Sequence, residues 1–109
     1  MGRDALGDLE HQAMLALLHL GDESYTAPIV EELERRTGRG TTVASVYVVL
    51  RRLEKKGYVV SQLRGPGAEG GRDRRCFIVT PSGMARLRQE QAAYQSLWAG
   101  LDLSKGGPS

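Results

Sequence analysis

The chain has 109 residues, of which 40% are hydrophobic and 26% are charged, and its formal net charge is +2. This size and composition predict one small folded domain and exclude a fully disordered chain, while no apolar run is long enough to span a membrane. The single cysteine, Cys76, has no partner for a disulfide within the chain, and the first residues lack a secretory signal, so we expect a cytoplasmic protein.

The charges are segregated along the sequence. Residues 1–34 contain one arginine and eight carboxylates, a net charge of −7, whereas residues 35–75 contain eleven lysines and arginines and three carboxylates, a net charge of +8. A concentrated positive field of this kind is typical of a surface that meets a polyanion. Nucleic acid is therefore the leading predicted partner.

Apolar residues at helical spacing predict a first helix from Leu9 to Leu20, with Asp8 as its N-cap. Leu15 and Leu18 widen the apolar surface of this helix beyond a single stripe. Such a helix is buried on more than one side, either by the rest of the domain or by a second copy of the chain.

The next two helices have the spacing of a helix-turn-helix. One is predicted from Thr26, its N-cap, to Gly38, where a glycine suits the left-handed residue that ends many helices. The other is predicted from about Thr42 to Lys56, with Thr41 or Thr42 as its N-cap. Its predicted inward stripe consists of Val43, Val46, Leu50 and Leu53.

Two segments rich in β-forming residues follow, residues 58–63 and 74–79, separated by a glycine-rich turn. They predict a hairpin, which we call the wing. Thr80 and Pro81 then predict the N-cap and first turn of a last helix of about fifteen or more residues. The glycine-, proline- and serine-rich residues 104–109 predict a disordered tail.

This order of elements predicts an α+β fold of the winged helix-turn-helix class, with three helices and a two-stranded wing. We predict that residues 1–80 form this domain, that residues 81–103 form a C-terminal helix and that residues 104–109 form the tail. In a winged helix the third helix enters the major groove of DNA, and the wing reaches the neighbouring backbone or the minor groove.

A helical wheel places the residues opposite the inward stripe on one exposed face of the third helix. The side chains of this face are small at the N-terminal end of the helix and basic at its C-terminal end. The N-terminal end can therefore approach base edges, while the basic side chains reach phosphates. The predicted DNA-binding residues are Thr42, Ser45, Val48, Arg51, Arg52 and Lys55 on the helix and Arg72, Arg74 and Arg75 beside the tip of the wing. A solvated basic helix end, with Thr42 and Ser45 as capping or surface groups, is the alternative.

Several segments resemble the PadR-like transcriptional regulators. They are Leu15-Ala16-Leu17-Leu18, Glu23-Ser24-Tyr25, residues 42–47, residues 50–57, Gly70-Gly71-Arg72 and residues 77–83. The resemblance implies a homodimeric DNA-binding repressor in which the last helix, a dimerisation helix, packs on the first helix of the partner. It also implies that the Tyr47 hydroxyl meets a backbone phosphate, and a tyrosine half-packed at the edge of the stripe is the alternative. The predicted dimer interface consists of Leu15, Leu18, Leu87, Tyr94, Leu97 and Trp98.

The chain departs from the family pattern at three positions. Thr26 stands where a glycine is usual, but a threonine can still cap the helix. Val48 stands where many members have a proline, and because an exposed valine suits a thymine methyl group, it predicts an altered operator preference. Cys76 stands where an aromatic residue is common, and we interpret it as a small apolar strand residue rather than a redox sensor.

The sequence offers no set of nucleophile, base and orienting residue, and His11 and His19 lie eight positions apart, which is not the spacing that lets one helix chelate a metal. We therefore expect no enzymatic activity, no cofactor and no metal site. Tyr94 and Trp98 could stack around a planar hydrophobic effector, but packing at an interface is favoured.

The prediction as a whole is a homodimer that binds a pseudo-palindromic operator in double-stranded DNA and represses transcription. The two copies of the third helix would lie about 10 bp apart, or a small multiple of this distance. One alternative is a winged-helix interaction module that uses its basic face to bind an acidic protein. A small-molecule-binding dimer with vestigial DNA contact is a third, remote interpretation.

Overall fold

The computed structural model describes residues 6–21, 24–65 and 74–108. Its elements in chain order are α1 (Asp8–Leu20), α2 (Thr26–Thr37), α3 (Val43–Lys55), β1 (Val59–Arg64), β2 (Arg74–Val79), α4 (Pro81–Trp98), β3 (Leu101–Asp102) and β4 (Gly107–Pro108). Three helices, a wing formed by β1 and β2, and a long helix after the wing confirm the predicted α+β winged helix-turn-helix class. Within the described ranges, no helix combines the length and apolar character needed to cross a membrane.

Two helices begin one residue earlier than their predicted N-caps imply. Helix α1 begins at Asp8, because the N–H group of the preceding Gly7 donates to Oε1 of Glu10 at 2.7 Å and is satisfied there. Helix α2 begins at Thr26, because the residue before Tyr25 pairs with the wing and the extended backbone ends at Tyr25. Asp8 and Thr26 are therefore the first helical residues rather than caps.

Three other predicted helix ends are confirmed. Gly38 ends α2 in the left-handed region, with φ of 74°. At the starts of α3 and α4, the hydroxyl oxygens of Thr42 and Thr80 each accept a backbone N–H of the first turn at 3.0 Å. A Cβ at Gly83 would lie 2.2 Å from the carbonyl oxygen of Tyr58, so only glycine lets α4 start against the base of the wing.

The core lies between the three helices and the base of the wing. Its largest fully buried side chains are Met14, Leu17, Ile29, Val46, Leu50, Leu53, Val59 and Phe77. The predicted inward stripe of α3 is wrong at Val43, which is 50% exposed, and Val49 is buried in its place. Val43 lies in the first turn of α3, where it borders an open groove beside the start of α2, and the helix meets the core only one turn later.

The wing is fixed to the helices at its base. β1 and β2 are antiparallel, and their register begins with Val59 opposite Val79. Phe77 of β2 and Ser24 before α2 exchange both backbone hydrogen bonds, at 3.1 and 2.9 Å. This pairing holds the wing beside the start of α2 and thereby sets its position relative to the helix-turn-helix.

Residues 101–108, which include most of the predicted disordered tail, form a small hairpin. Leu101 pairs with Pro108 and Asp102 pairs with Gly107. The Oδ1 atom of Asp102 accepts the backbone N–H of Ser104 at 3.0 Å and its hydroxyl at 2.6 Å. An aspartate that binds the backbone two residues further on stabilises a turn, which is why the glycine-rich composition does not produce disorder there.

Candidate nucleic-acid interface

Helix α3 turns one face outward. Ser45, Arg52 and Lys55 are exposed on this face, Arg51 is half-buried, and the apolar side chain of Val48 is 53% exposed. The side chains that line one shallow depression of about 270 Å³ along the helix are Tyr47, Val48, Arg51, Arg52 and Lys55. The depression thus brings together five of the seven residues of the third helix that the sequence predicted as DNA contacts.

Thr42 and Ser45 begin this face, and their first role is to cap α3. The hydroxyl oxygen of Thr42 accepts the N–H of Ser45 at 3.0 Å, and the Thr42 hydroxyl donates to Oγ of Ser45 at 2.9 Å. The capping role considered for Thr42 is therefore confirmed. A contact between either hydroxyl and a DNA base stays a prediction.

Tyr47 connects α3 to the wing. Its ring meets the ring of buried Phe77 edge to face, with 6.1 Å between the ring centroids, and yet the residue is 39% exposed. Tyr47 borders both the depression along α3 and a second groove beside β2. Tyr47 is therefore half-packed, as expected at the edge of the stripe, and its side chain is still accessible.

A chain of polar contacts ties α3 to both strands of the wing. Nη1 of Arg51 lies 3.3 Å from Oε1 of Glu54. The Ser61 hydroxyl in β1 donates to Oε2 of Glu54 at 2.8 Å, and Nη1 of Arg75 in β2 donates to the Ser61 oxygen at 2.9 Å. We call these four residues the Glu54–Ser61 relay. Two predicted DNA-binding arginines, one on the helix and one on the wing, are thus joined by residues that the sequence did not single out.

The second described arginine of the wing that was predicted to bind DNA, Arg74, is held by an aromatic ring. Its guanidinium carbon lies 4.3 Å from the centroid of the Tyr25 ring, a cation–π contact. A hydrogen bond with the Cys76 thiol, together with burial, raises the pKa of the Tyr25 hydroxyl. Cys76 is buried, in keeping with the interpretation of a small apolar strand residue. Arg72, the third predicted arginine of the wing, lies outside the described residues.

The start of α2, α3 and β2 enclose a groove of about 260 Å³ next to these arginines. Its lining consists of Tyr25, Thr26, Ala27, Pro28, Val43, Tyr47, Arg74 and Arg75. The floor of this groove is apolar, and the guanidinium groups of Arg74 and Arg75 border it.

Several cations of the basic segment are neutralised away from this surface. Arg35 and Arg36 at the end of α2 both pair with the buried Glu32, and the hydrogen bond from Arg36 is the main reason that the pKa of Glu32 is lowered. Nζ of Lys56 lies 2.9 Å from Oε1 of Glu10 in α1. The separation of charges along the sequence therefore overstates their separation in space, because the fold pairs acids of the first segment with bases of the second.

A second surface lies between α1 and α4, and we call it the α1–α4 groove. It has a volume of about 580 Å³ and is lined by His11, Leu15, Leu18, Met84, Leu87, Arg88, Gln91, Tyr94, Gln95 and Trp98. Leu15, Leu18, Tyr94 and Trp98 are between 39% and 54% exposed, a large apolar surface for a small domain. Within the described ranges, no cluster of metal-binding residue types occurs here or elsewhere.

Two of the predicted interface residues stand apart from this group. Leu87 is only 7% exposed because it closes the core beneath the wing, so it forms the floor of the groove rather than an exposed contact. Leu97 is 70% exposed but does not line the groove. The remaining four side chains surround one opening between the two helices.

The fold has a three-helix core, a two-stranded wing, an exposed basic third helix and arginines in the tip half of the wing. These features define a winged-helix protein. Comparison with known proteins shows to which family of winged-helix proteins the chain is similar. The sequence model described as the transcriptional regulator PadR-like family matches residues 14–89. The transcriptional regulator Rv3488 of Mycobacterium tuberculosis is 35% identical over 82 residues, which cover 74% of this chain and 73% of that protein.

The fold is also similar to that of solved structures. The crystal structure of a PadR family transcriptional regulator from Eggerthella lenta superposes with a TM-score of 0.67 and 27% identity, covering 81% of this chain and 75% of the other. The structure of Bacillus subtilis PadR in complex with operator DNA superposes with a TM-score of 0.66 and 16% identity, covering 77% of this chain and 46% of the other, and this likeness concerns the fold alone. The chain belongs to the PadR-like family of transcriptional regulators.

Proposed function

We propose that this chain binds double-stranded DNA, that it does so as a homodimer on a pseudo-palindromic operator, and that it represses transcription. One observation carries the proposal: Arg51 of α3 and Arg75 of the wing are connected through Glu54 and Ser61, so the basic residues of both elements share one surface. Helix α3 and the wing then present their cations to the same side, where both can contact the phosphates of one duplex. Regulation then occurs through binding rather than catalysis.

In the proposed complex α3 enters the major groove. Ser45 and Val48 face the base edges, and Val48 contacts a thymine methyl group because its exposed side chain is apolar. Arg52 and Lys55, in the last turns of the helix, reach phosphates. The flanking backbone is met by Tyr47 together with Arg51, Arg74 and Arg75, and by Arg72.

A second copy of the chain covers the α1–α4 groove in the proposed homodimer. The exposed apolar side chains of Leu15, Leu18, Tyr94 and Trp98 favour this, because burial of such surface drives association. A two-fold axis then separates the two copies of α3 by about one turn of DNA, or a small multiple of it. A planar hydrophobic effector would compete for the same groove, between Tyr94 and Trp98.

Electrophoretic mobility shift with a labelled random-sequence duplex at low salt tests the first step. We expect retardation that weakens as salt is raised, with a log–log slope of about 0.9 for each phosphate contact. An absence of retardation at low salt would contradict DNA binding and favour the acidic-protein partner.

Selection of bound fragments from the source genome tests the operator and the dimer together. We expect enrichment of inverted repeats whose half-sites are about 10 bp apart, or a small multiple of it. A reporter gene placed behind an enriched fragment then tests repression, because a repressor lowers its transcription when the protein is supplied. Enriched fragments without repeat symmetry would contradict the proposed homodimeric recognition.

A further inference from the structure

Glu54 is an acidic residue in the middle of the proposed DNA-binding surface. Its side chain is 28% exposed, and it lies between the C-terminal half of α3 and strand β1. A carboxylate at this place repels phosphates by itself. One oxygen of Glu54, Oε2, nevertheless accepts the Ser61 hydroxyl, and the other, Oε1, forms an ion pair with Arg51 that lacks hydrogen-bond geometry.

Ser61 makes hydrogen bonds with both Glu54 and Arg75. It stands opposite Phe77 in the register of the wing, whereas Arg75 stands opposite Leu63, so the Ser61–Arg75 contact is a diagonal one across the two strands. The single proton of the Ser61 hydroxyl goes to Glu54, and its oxygen accepts from Arg75. Ser61 therefore connects a carboxylate on the helix to a guanidinium on the second strand.

Arginine is a long side chain that loses rotamer freedom when it binds a phosphate, and this loss weakens binding. A partner that already holds the arginine before DNA arrives reduces the loss. Arg51 also keeps much of its surface available, because its side chain is 43% exposed while it is paired with Glu54. The geometry therefore permits one arginine to bind Glu54 and a phosphate together.

The geometry points to Glu54 and Ser61 as positioning residues that hold Arg51 of the recognition helix and Arg75 of the wing in one arrangement for the DNA backbone. This inference rests on the proposed DNA binding. It assigns a function to the acidic residue on a cationic surface, since Glu54 acts through two arginines and does not itself contact DNA.

The direction in which one substitution changes DNA affinity distinguishes this inference from simple repulsion between Glu54 and the phosphates. Glu54→Gln removes a negative charge, which by electrostatics alone strengthens DNA binding. If Glu54 positions Arg51 and Arg75, the same change weakens binding to a labelled random-sequence duplex about threefold to tenfold. Glu90→Gln is the matched control, because Glu90 is a similarly half-buried carboxylate paired with Arg86 on α4, away from this surface. We expect it to leave the affinity unchanged.

A double-mutant cycle tests the second half of the relay with an uncharged change. Ser61→Ala should weaken binding about threefold in the native chain and have a smaller effect in an Arg75→Ala background, because part of its effect passes through Arg75. A merely structural role of Ser61 would lower affinity equally in both backgrounds and would lower the thermal midpoint. The cycle also keeps the inference testable if Glu54→Gln does not fold.

The outcomes distinguish the two levels of the proposal. If the native chain retards no DNA at low salt, the proposed function fails and the positioning role fails with it. If the native chain binds but Glu54→Gln binds equally or more tightly, or if Ser61→Ala acts independently of Arg75, only the positioning role is overturned. Weaker binding by Glu54→Gln with a non-additive Ser61–Arg75 cycle supports it.

Discussion

The two main surfaces of this chain have opposite chemistry. The α3–wing surface presents exposed cations, and its arginines are held by polar and aromatic partners such as Glu54, Ser61 and Tyr25. The α1–α4 groove presents aliphatic and aromatic side chains, including Leu15 and Trp98. Binding at the first surface is electrostatic and sensitive to salt, whereas association at the second depends on apolar burial and is far less so. A substitution on the α3–wing surface can therefore weaken DNA binding without breaking the proposed dimer, whereas loss of the dimer weakens DNA binding as well.

The largest expected effect comes from breaking the proposed dimer. Leu15→Asp places a charge in the α1–α4 groove, at a position that is already 42% exposed within one chain, so the fold itself tolerates it. We expect a monomer in sedimentation. We also expect DNA affinity to fall about a hundredfold or more, because two linked recognition helices bind far more tightly than one.

An exposed apolar residue outside the groove provides the control for the sedimentation measurement. Val60 in β1 is 50% exposed and does not line the groove, so Val60→Asp should sediment like the native chain. If Leu15→Asp stays dimeric, the second copy does not occupy the α1–α4 groove. If both variants sediment as monomers, loss of the dimer is not specific to substitutions in the α1–α4 groove.

The second effect concerns a single phosphate contact on the other surface. Arg52→Ala should lower the affinity of the dimer for all DNA sequences, by roughly tenfold at low salt, because a charge-assisted hydrogen bond to phosphate is lost. The slope of log affinity against log salt should decrease by about 0.9 for each contact removed, and the sedimentation behaviour should not change.

Lys105→Ala is the matched control for charge, because Lys105 is an exposed cation in the C-terminal hairpin. It should leave both the affinity and the salt slope unchanged. Equal effects of the two substitutions would mean that DNA responds to net charge alone, and the α3 face would then not be the specific contact surface.

The sequence predicted the elements of the fold well because their signals are local. Helical spacing, the caps at Thr42 and Thr80 and the glycine at the end of α2 depend on residues within one or two turns. The miss at Val43 has a tertiary cause, since the spacing placed it on the stripe but the first turn of α3 borders an open groove and leaves Val43 half exposed. For Leu87, which is buried in the core and also lines the α1–α4 groove, the interface role stays a prediction.

The candidate DNA-binding surface was only partly predictable. Its cations are evident from the charge pattern, but their partners are not, because the contact between Ser61 and Arg75 depends on the register of the wing. Glu54 carried a weak local signal, three residues after Arg51 on the same helix. The pairing of Lys56 with Glu10 joins residues far apart in sequence, and no pattern along the chain indicates it.

A smaller effect on DNA affinity should follow from substitution of Tyr25, whose ring contacts Arg74. Tyr25→Leu removes the aromatic face and should weaken DNA binding about threefold, the size of an exposed cation–π contact. Tyr25→Phe keeps that face and loses only the hydroxyl that bonds to Cys76, so its affinity should remain close to that of the native chain. Mobility shift of both variants checks this, and equal weakening by the two would indicate that the hydroxyl, not the ring, supports the wing.

No effect on DNA binding or on the dimer is expected at Glu32, where a substitution should change only the stability of the fold. Its pKa is lowered chiefly by the hydrogen bond from Arg36, so the ionised form stabilises the folded state. A lowered folded pKa gives stability that is present above the ordinary carboxyl pKa and is lost as the pH falls through the lower folded pKa. Glu32→Gln should therefore lower the thermal midpoint at pH 7, and its difference from the native chain should shrink as the pH falls below the ordinary carboxyl range.

Glu31→Gln is the control for this last comparison, since Glu31 is exposed on the same helix whereas Glu32 is buried. It should leave the midpoint unchanged across the same pH range. DNA affinity should be unaltered in both variants at pH 7, because Arg35 and Arg36 pair with Glu32 at the far end of α2, away from the α3–wing surface. Tighter DNA binding by Glu32→Gln would show that these two arginines, once released, reach phosphates, and the boundary of the DNA-binding surface would then include the end of α2.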